Sequence, residues 1–344
     1  MRVRLVALST LVFGLSLVAG TTAQAAQSTA DSTPSTMSST MPGMTDMPGM
    51  TGAAPPSAEP KAPDRAAGIQ RARQRPVFLK ATLEGRNEVQ VAGKPPVGDP
   101  KGSATGLVRV QGDRVTFAFS WKGISAPTLG HIHQGASGAN GDVKVPLFTT
   151  AMPDTVTSAA GSVTVTDPAV ADALRADPAG FYLNLHTKEF PGGAVRGQLG
   201  KLREAPDLLE LLQGGDEKAF LSGDQEVPVA GGPAVGDRQG HAVAFVRPKD
   251  TQVAYSFAWL GIAPTLGHIH RGNFGSNGPV VVPLFTTPVP STVFAVSGTA
   301  TGLDPALVKD ISEHPASFYA NLHSAQFPGG AVRGQLYHRD HDHD

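Results

Sequence analysis

Three histidines recur at fixed spacing in two parts of the chain: His131, His133 and His186, then His268, His270 and His323. An arginine follows each set, Arg196 and Arg333. The two sets are offset by 137 residues, with no insertion or deletion between 130–199 and 267–336, and about 40 of the 70 aligned positions are identical. Neutral imidazole ligates copper, zinc, iron or nickel, and a His-x-His pair joined by a third histidine from a distant strand makes a rigid metal site. Those donors alone do not choose the metal. The competing reading is a hydrogen-bonding network that holds loops. Three histidines kept at one spacing in both copies favour the metal. Each arginine lies in a Gly-Gly-Ala-Val-Arg-Gly-Gln stretch, where a guanidinium serves either an anion or backbone carbonyls, the carbonyls being the commoner use.

Two further groups lie near the ends. Met37, Met41, Met44, Met47 and Met50 are five of the seven methionines. Thioethers are soft ligands that select Cu(I), so this run is a candidate Cu(I) arm. A linker that merely contains methionine is the plainer alternative, but a polar linker has little use for five. His338, His341 and His343, with Asp340, Asp342 and Asp344, make an unspecific metal-attracting tail.

Strands must position the histidines. Val115, Phe117, Phe119 and Trp121 alternate with smaller or polar residues, as do Val253, Tyr255, Phe257 and Trp259. Period-two alternation with aromatics on one face predicts a half-buried strand. Val143, Val145 and Leu147, matched by Val280, Val282 and Leu284, repeat the pattern just after Asn140-Gly141 and Asn277-Gly278, which suit tight turns. In the stretch 181–186, His186 shares a face with Asn184 and Tyr182; His131 and His133 share a face of theirs. Asp167-Pro168 and Asp304-Pro305 each start one short helix, ended by Pro178 and Pro315. The fold class is all-β, a sandwich or barrel with one short helix in each repeat.

The division expected is a signal peptide at 1–25, a disordered methionine-containing linker at 26–76, domains at 77–200 and 219–337, a linker at 201–218 and a tail at 338–344. Arg2 and Arg4, an apolar run over 5–18 and Ala23-Gln24-Ala25 have the pattern of a cleaved secretory signal, so the expected address is extracytoplasmic. No later run is long enough to span a bilayer. Residues 27–75 are too poor in large apolar side chains to offset their ordering entropy. Pro206-Asp207-Leu208-Leu209-Glu210-Leu211-Leu212 predicts a short helix between the repeats. A net charge of −1 gives no electrostatic reason to expect nucleic acid or an acidic membrane as partner. With no cysteine there is no disulfide, and stability must come from packing, with help from metal where it binds.

Ser222-Gly223-Asp224-Gln225-Glu226-Val227-Pro228, Gly-His-Ile-His-Arg-Gly, Asn-Leu-His and Pro-Gly-Gly-Ala-Val-Arg-Gly-Gln-Leu together resemble the chordin-type (CHRD) domain. The first repeat fits with a weaker opening, Glu84-Gly85-Arg86-Asn87-Glu88-Val89. More distantly, the order His-x-His, late His, then arginine in a glycine-rich turn resembles copper–zinc superoxide dismutases. That resemblance implies two tandem Greek-key domains, with His131, His133 and His186 as copper ligands and Arg196 guiding an anion. The second repeat would use His268, His270, His323 and Arg333. No histidine matches the copper–zinc bridging ligand, and no zinc loop is present.

Three functions follow. The first is a secreted copper-binding protein that buffers or sequesters the metal, with zinc as the alternative ion. The second is a metalloenzyme acting on superoxide or another small anion. The third is a structural or interaction module without catalysis. Metal analysis separates the third from the others, and turnover separates the first two. The sequence names no protein partner.

Overall fold

Alternation sets the strands. The structure, a computed structural model, describes residues 65–207 and 214–338. Val115, Phe117, Phe119 and Trp121 are all buried on β3 (Arg114–Lys122), as their period requires. The first repeat also contains β1 (Val77–Glu84), β2 (Ser103–Gln111), β4 (Leu129–Gln134), β5 (Val143–Phe148), β6 (Val156–Thr164), β7 (Phe181–His186), β8 (Val195–Gln198) and the short β9 (Gly200–Lys201). The second contains β10 (Glu217–Ser222), β11 (His241–Lys249), β12 (Gln252–Leu260), β13 (Pro264–Arg271), β14 (Val280–Phe285), β15 (Val293–Ala300), β16 (Phe318–Ser324), β17 (Val332–Gln335) and β18 (Tyr337–His338).

All strand pairs are antiparallel. Across the first repeat the neighbours run β5-β4-β7-β8-β1-β2-β3-β6. Across the second they run β14-β13-β16-β17-β10-β11-β12-β15, the same order. The protein is therefore mostly antiparallel β, in two similar halves with few short helices. Each half has an aromatic core. Phe119 meets Phe148 edge-on at 6.4 Å, and Phe257 meets Phe285 in the same way at 6.4 Å. Burying one such ring contributes about 1.5–3 kcal/mol.

The helices start where the Asp-Pro pairs place them. Asp167 Oδ1 caps α2 (Pro168–Ala176) through Ala169 N at 2.9 Å, and Asp304 Oδ1 caps α3 (Pro305–Glu313) through Ala306 N at 2.9 Å. One helix was not expected. Arg65–Ala72 forms a helix, α1, inside the stretch read as disordered, because Arg71 gives that end of the stretch a fixed anchor. Its Nε lies 2.6 Å from Asp113 and its Nη1 3.0 Å from Asp172. The signal, most of the methionine-containing stretch and most of the helix expected over 206–212 lie outside the described residues. No helix among the described residues is long and apolar enough to cross a membrane.

The repeats also share a sheet, because β6 pairs with β15. Ala159 lies opposite Val296, its own counterpart in the other repeat. Ser158 faces Ser297 and Ala160 faces Ala295, so the register maps onto itself when the copies are exchanged. Side chains and backbone follow that symmetry. Thr155 Oγ1 donates to Leu284 O at 2.6 Å, and Thr292 Oγ1 donates to Leu147 O at 2.7 Å. Ser162 N donates to Thr292 O, and Thr299 N to Thr155 O. This is the isologous pattern of a twofold dimer, realised inside one chain.

Candidate metal centre

β4 and β7 bring the first histidines together. Antiparallel pairing puts His131 opposite Asn184 and His133 opposite Tyr182, with His186 opposite Leu129 at the end of β7. Gly130 is required beside them because the Phe148 ring packs on its Cα side: a Cβ there would lie 2.3 Å from the ring. The second repeat reproduces the arrangement on β13 and β16, with Gly267 and Phe285.

The three histidines of each repeat converge. One ligand nitrogen from each of His131, His133 and His186 lies within 4.8 Å of the others, and the same holds for His268, His270 and His323. His131 Nδ1 is 3.2 Å from His186 Nε2, and His268 Nδ1 is 3.2 Å from His323 Nε2. Two nitrogens on one ion at about 2.0–2.1 Å from it, in a tetrahedral arrangement, are about 3.3 Å apart, so this pair already has the spacing of a shared ion.

Backbone carbonyls fix the tautomers. His133 Nδ1 donates to Gly141 O at 2.9 Å, and His186 Nδ1 donates to Pro191 O at 2.9 Å. A carbonyl can only accept, so both rings carry their proton on Nδ1 and present a bare Nε2 to the centre. His131 Nδ1 then donates to His186 Nε2, and ligation through that Nδ1 would use the other tautomer of His131, with its proton on Nε2. His133 Nε2 and His270 Nε2 are buried without a hydrogen-bond partner. An orphaned buried nitrogen costs about 1–3 kcal/mol unless something binds it. A Nδ1–H to a carbonyl with the other nitrogen bare is the usual arrangement of a metal-ligating histidine. The donor set therefore fits a metal ion.

Electrostatics agree. Burial, reinforced by the neighbouring imidazoles, pushes His131 and His268 down to about 4. Burial also lowers His133, His186, His270 and His323. Rings that stay neutral at physiological pH are competent ligands.

Arg196 and Arg333 lie elsewhere in the design. Each is only 2 % exposed, so the geometry gives them the carbonyl-anchoring role and not a solvent-facing anion guide. Arg196 donates to Ala136 O at 3.0 Å, Ala139 O at 2.7 Å and Asn140 Oδ1 at 3.1 Å. Its guanidinium lies 3.4 Å from the centroid of Tyr182, whose ring also stacks on His133 at 4.8 Å. Arg333 binds Asn273 O, Ser276 O and Asn277 Oδ1, and covers Tyr319, which stacks on His270. The arginine thus holds the loop that supplies Gly141 O and supports the ring that carries His133.

Glu88 and Glu226 were not singled out as site residues in the sequence, although the pair Glu-Val is kept in both repeats. Asn184 Nδ2 donates to Glu88 Oε2 at 3.2 Å, and Asn321 Nδ2 to Glu226 Oε1 at 2.9 Å. Burial pushes both carboxyls up to about 7, opposed by the nearby arginine and asparagine of each repeat. His338 does not extend freely into the tail: it lies in β18 with Nδ1 2.8 Å from Glu217 Oε2. His341, His343 and the methionines at 37, 41, 44, 47 and 50 lie outside the described residues.

No individual curated protein matches the chain. A family model, that of the CHRD domain, matches residues 79–199 and 218–336, the two structural repeats. By those two matches, which cover more than half of its length, the chain belongs to the CHRD domain family and carries two tandem CHRD domains.

Proposed function

We propose that this protein is a secreted copper-binding protein that buffers or sequesters the metal, one ion in each CHRD domain. His131, His133 and His186 would hold one ion, and His268, His270 and His323 the other. The observation that carries the reading is the buried, partnerless Nε2 of His133 and His270 at the centre of each three-histidine cluster. Copper is favoured over zinc because Cu(II) tops the divalent affinity order at imidazole sites and the methionines at 37–50 suit Cu(I). The signal-like N-terminus supports an extracytoplasmic address, where thioethers outlast thiols. We also infer that each repeat is a Greek-key sandwich or barrel of the superoxide-dismutase kind, a reading supported by the shared strand order.

The metal would occupy a centre of neutral donors held by carbonyl-bound imidazoles. The chain's own contribution is to fix the ring orientations, keep the rings unprotonated and limit access of water. Elemental analysis of the purified protein, followed by competition between Cu(II) and Zn(II), tests the proposal. Two copper ions per chain, bound more tightly than zinc, are expected. Equal or tighter zinc binding would replace copper with zinc, and no binding beyond that of the C-terminal tail would leave a structural module.

A further inference from the structure

Each histidine cluster surrounds a buried asparagine. On β7, alternation puts Tyr182, Asn184 and His186 on one face of the sheet. The register with β4 places Asn184 directly opposite His131, while His133 and His186 sit one step to either side, opposite Tyr182 and Leu129. Asn184 therefore neighbours all three histidines: His131 across the ladder, His186 two residues along its own strand, and His133 on the diagonal. Such neighbours are about 4.5–5.5 Å apart directly across and about 7–8 Å on the diagonal, within reach of side chains that lean together. Asn321 stands in the same relation to His268, His323 and His270.

Both amides are held by one end only. Asn184 Nδ2 donates to Glu88 Oε2 at 3.2 Å, and Asn321 Nδ2 donates to Glu226 Oε1 at 2.9 Å. The carboxyl of each repeat thus takes the nitrogen end of the amide and leaves the oxygen end over. Asn184 is 4 % and Asn321 3 % exposed, and the Oδ1 of each is buried without a hydrogen-bond partner. An amide oxygen only accepts, so nothing but a donor or a cation offsets its loss of water. The bare Nε2 atoms of His133 and His270 are in the same condition. Each repeat therefore holds an orphaned oxygen and an orphaned nitrogen in one set of neighbouring side chains.

We propose that Asn184 Oδ1 and Asn321 Oδ1 are the fourth ligands of the two metal ions, each oriented by the carboxyl that holds its amide nitrogen. The inference rests on the metal reading above and adds a residue to it. Three imidazole nitrogens with one oxygen make a mixed set that suits Cu(II). Glu88 and Glu226 then act as outer partners that aim a ligand, as the carbonyls of Gly141 and Pro191 aim His133 and His186. Four protein ligands close the coordination sphere. Closed centres hold a metal, whereas catalytic ones keep a position for water or substrate, so the fourth ligand assigns these sites to holding and not to turnover.

The test reads water at the bound metal. The full chain is loaded with two equivalents of Cu(II), copper content is measured after gel filtration, and relaxation of water protons by the bound copper is recorded. With the amide oxygens as ligands, the unsubstituted protein holds copper without an exchanging water, and relaxation per copper is low. Asn184→Ala and Asn321→Ala each open one position to water, so relaxation per copper should rise in either and most in the double variant. Copper affinity at the altered site should fall by at least about 10-fold. Asn184→Asp keeps an oxygen ligand and should keep relaxation low. An asparagine that only packs would leave relaxation per copper unchanged when truncated. Where one alanine variant does not fold, the other repeat supplies the same comparison. High relaxation in the unsubstituted protein, or loaded alanine variants that relax water no more than it does, would overturn the inference and leave the metal reading standing. Failure of the unsubstituted protein to load copper would overturn both.

Discussion

Arg196→Ala probes the link between the arginine and the metal centre. The side chain is 2 % exposed, donates to two backbone carbonyls and an amide oxygen, and lies 3.4 Å over the Tyr182 ring. Hydrogen bonds from a charged donor contribute about 1.5–3 kcal/mol each, though not additively. A desolvated cation–π contact contributes about 2 kcal/mol. Truncation leaves these neutral buried acceptors unpaired at about 1–3 kcal/mol each, so a total loss of about 3–5 kcal/mol is expected here. With a urea slope of about 1–3 kcal/mol per molar, the unfolding midpoint should fall by about 1 M or more. The loop carrying Gly141 O would also loosen, and loss of such an orienting partner lowers metal affinity by about 10- to 100-fold. Arg196→Lys should recover part of the stability, since an ammonium cannot reproduce the fork. Urea unfolding and competitive Cu(II) titration of the same variants measure both effects. A loss below about 1 kcal/mol with unchanged copper affinity would refute the reasoning.

Other outcomes follow from the shared sheet and the buried carboxyl. A protease site inserted after Arg203 and then cut should leave the two halves together on size exclusion, because β6 and β15 pair independently of the linker; separation of the halves would contradict that pairing. Glu88 has a raised folded pKa, about 7 against 4.5, so the folded state holds the extra proton between those values. Its contribution to stability is present at low pH and is lost as pH rises through about 7. Glu88→Gln should therefore gain on its parent as pH rises from 5 to 8, and denaturation curves showing the opposite trend would contradict the burial argument. His131 has a lowered folded pKa, about 4 against 6.5, so metal-free protein should lose stability as pH falls through that window. Thermal unfolding of the apo protein between pH 7 and pH 4 checks this.

The duplication made the site unusually legible. His131, His133 and His186 stood out because a second copy repeated them, and alternation placed each on the correct face of its strand. The Asp-Pro helix starts were local signals and appeared where expected. Other features depend on tertiary contacts. The pairing of Ala159 with Val296 is a self-matching edge register, which period-two alternation cannot specify. The helix Arg65–Ala72 depends on Arg71 reaching Asp113 and Asp172, more than 40 residues away. Glu88 was visible as a repeated residue, but only Asn184 across the fold explains its burial. Arg196 was ambiguous between anion and carbonyl until its loop partners were in place.

The central claim is that each three-histidine cluster is a metal site, and copper stoichiometry in histidine variants tests it most directly. The chain ended after Tyr337, which removes the His/Asp tail, should bind two Cu(II). His133→Ala and His270→Ala should each bind one, and the double variant none, with circular dichroism confirming that all remain folded. Two coppers retained by a folded double variant, or none bound by the unsubstituted protein, would contradict the account.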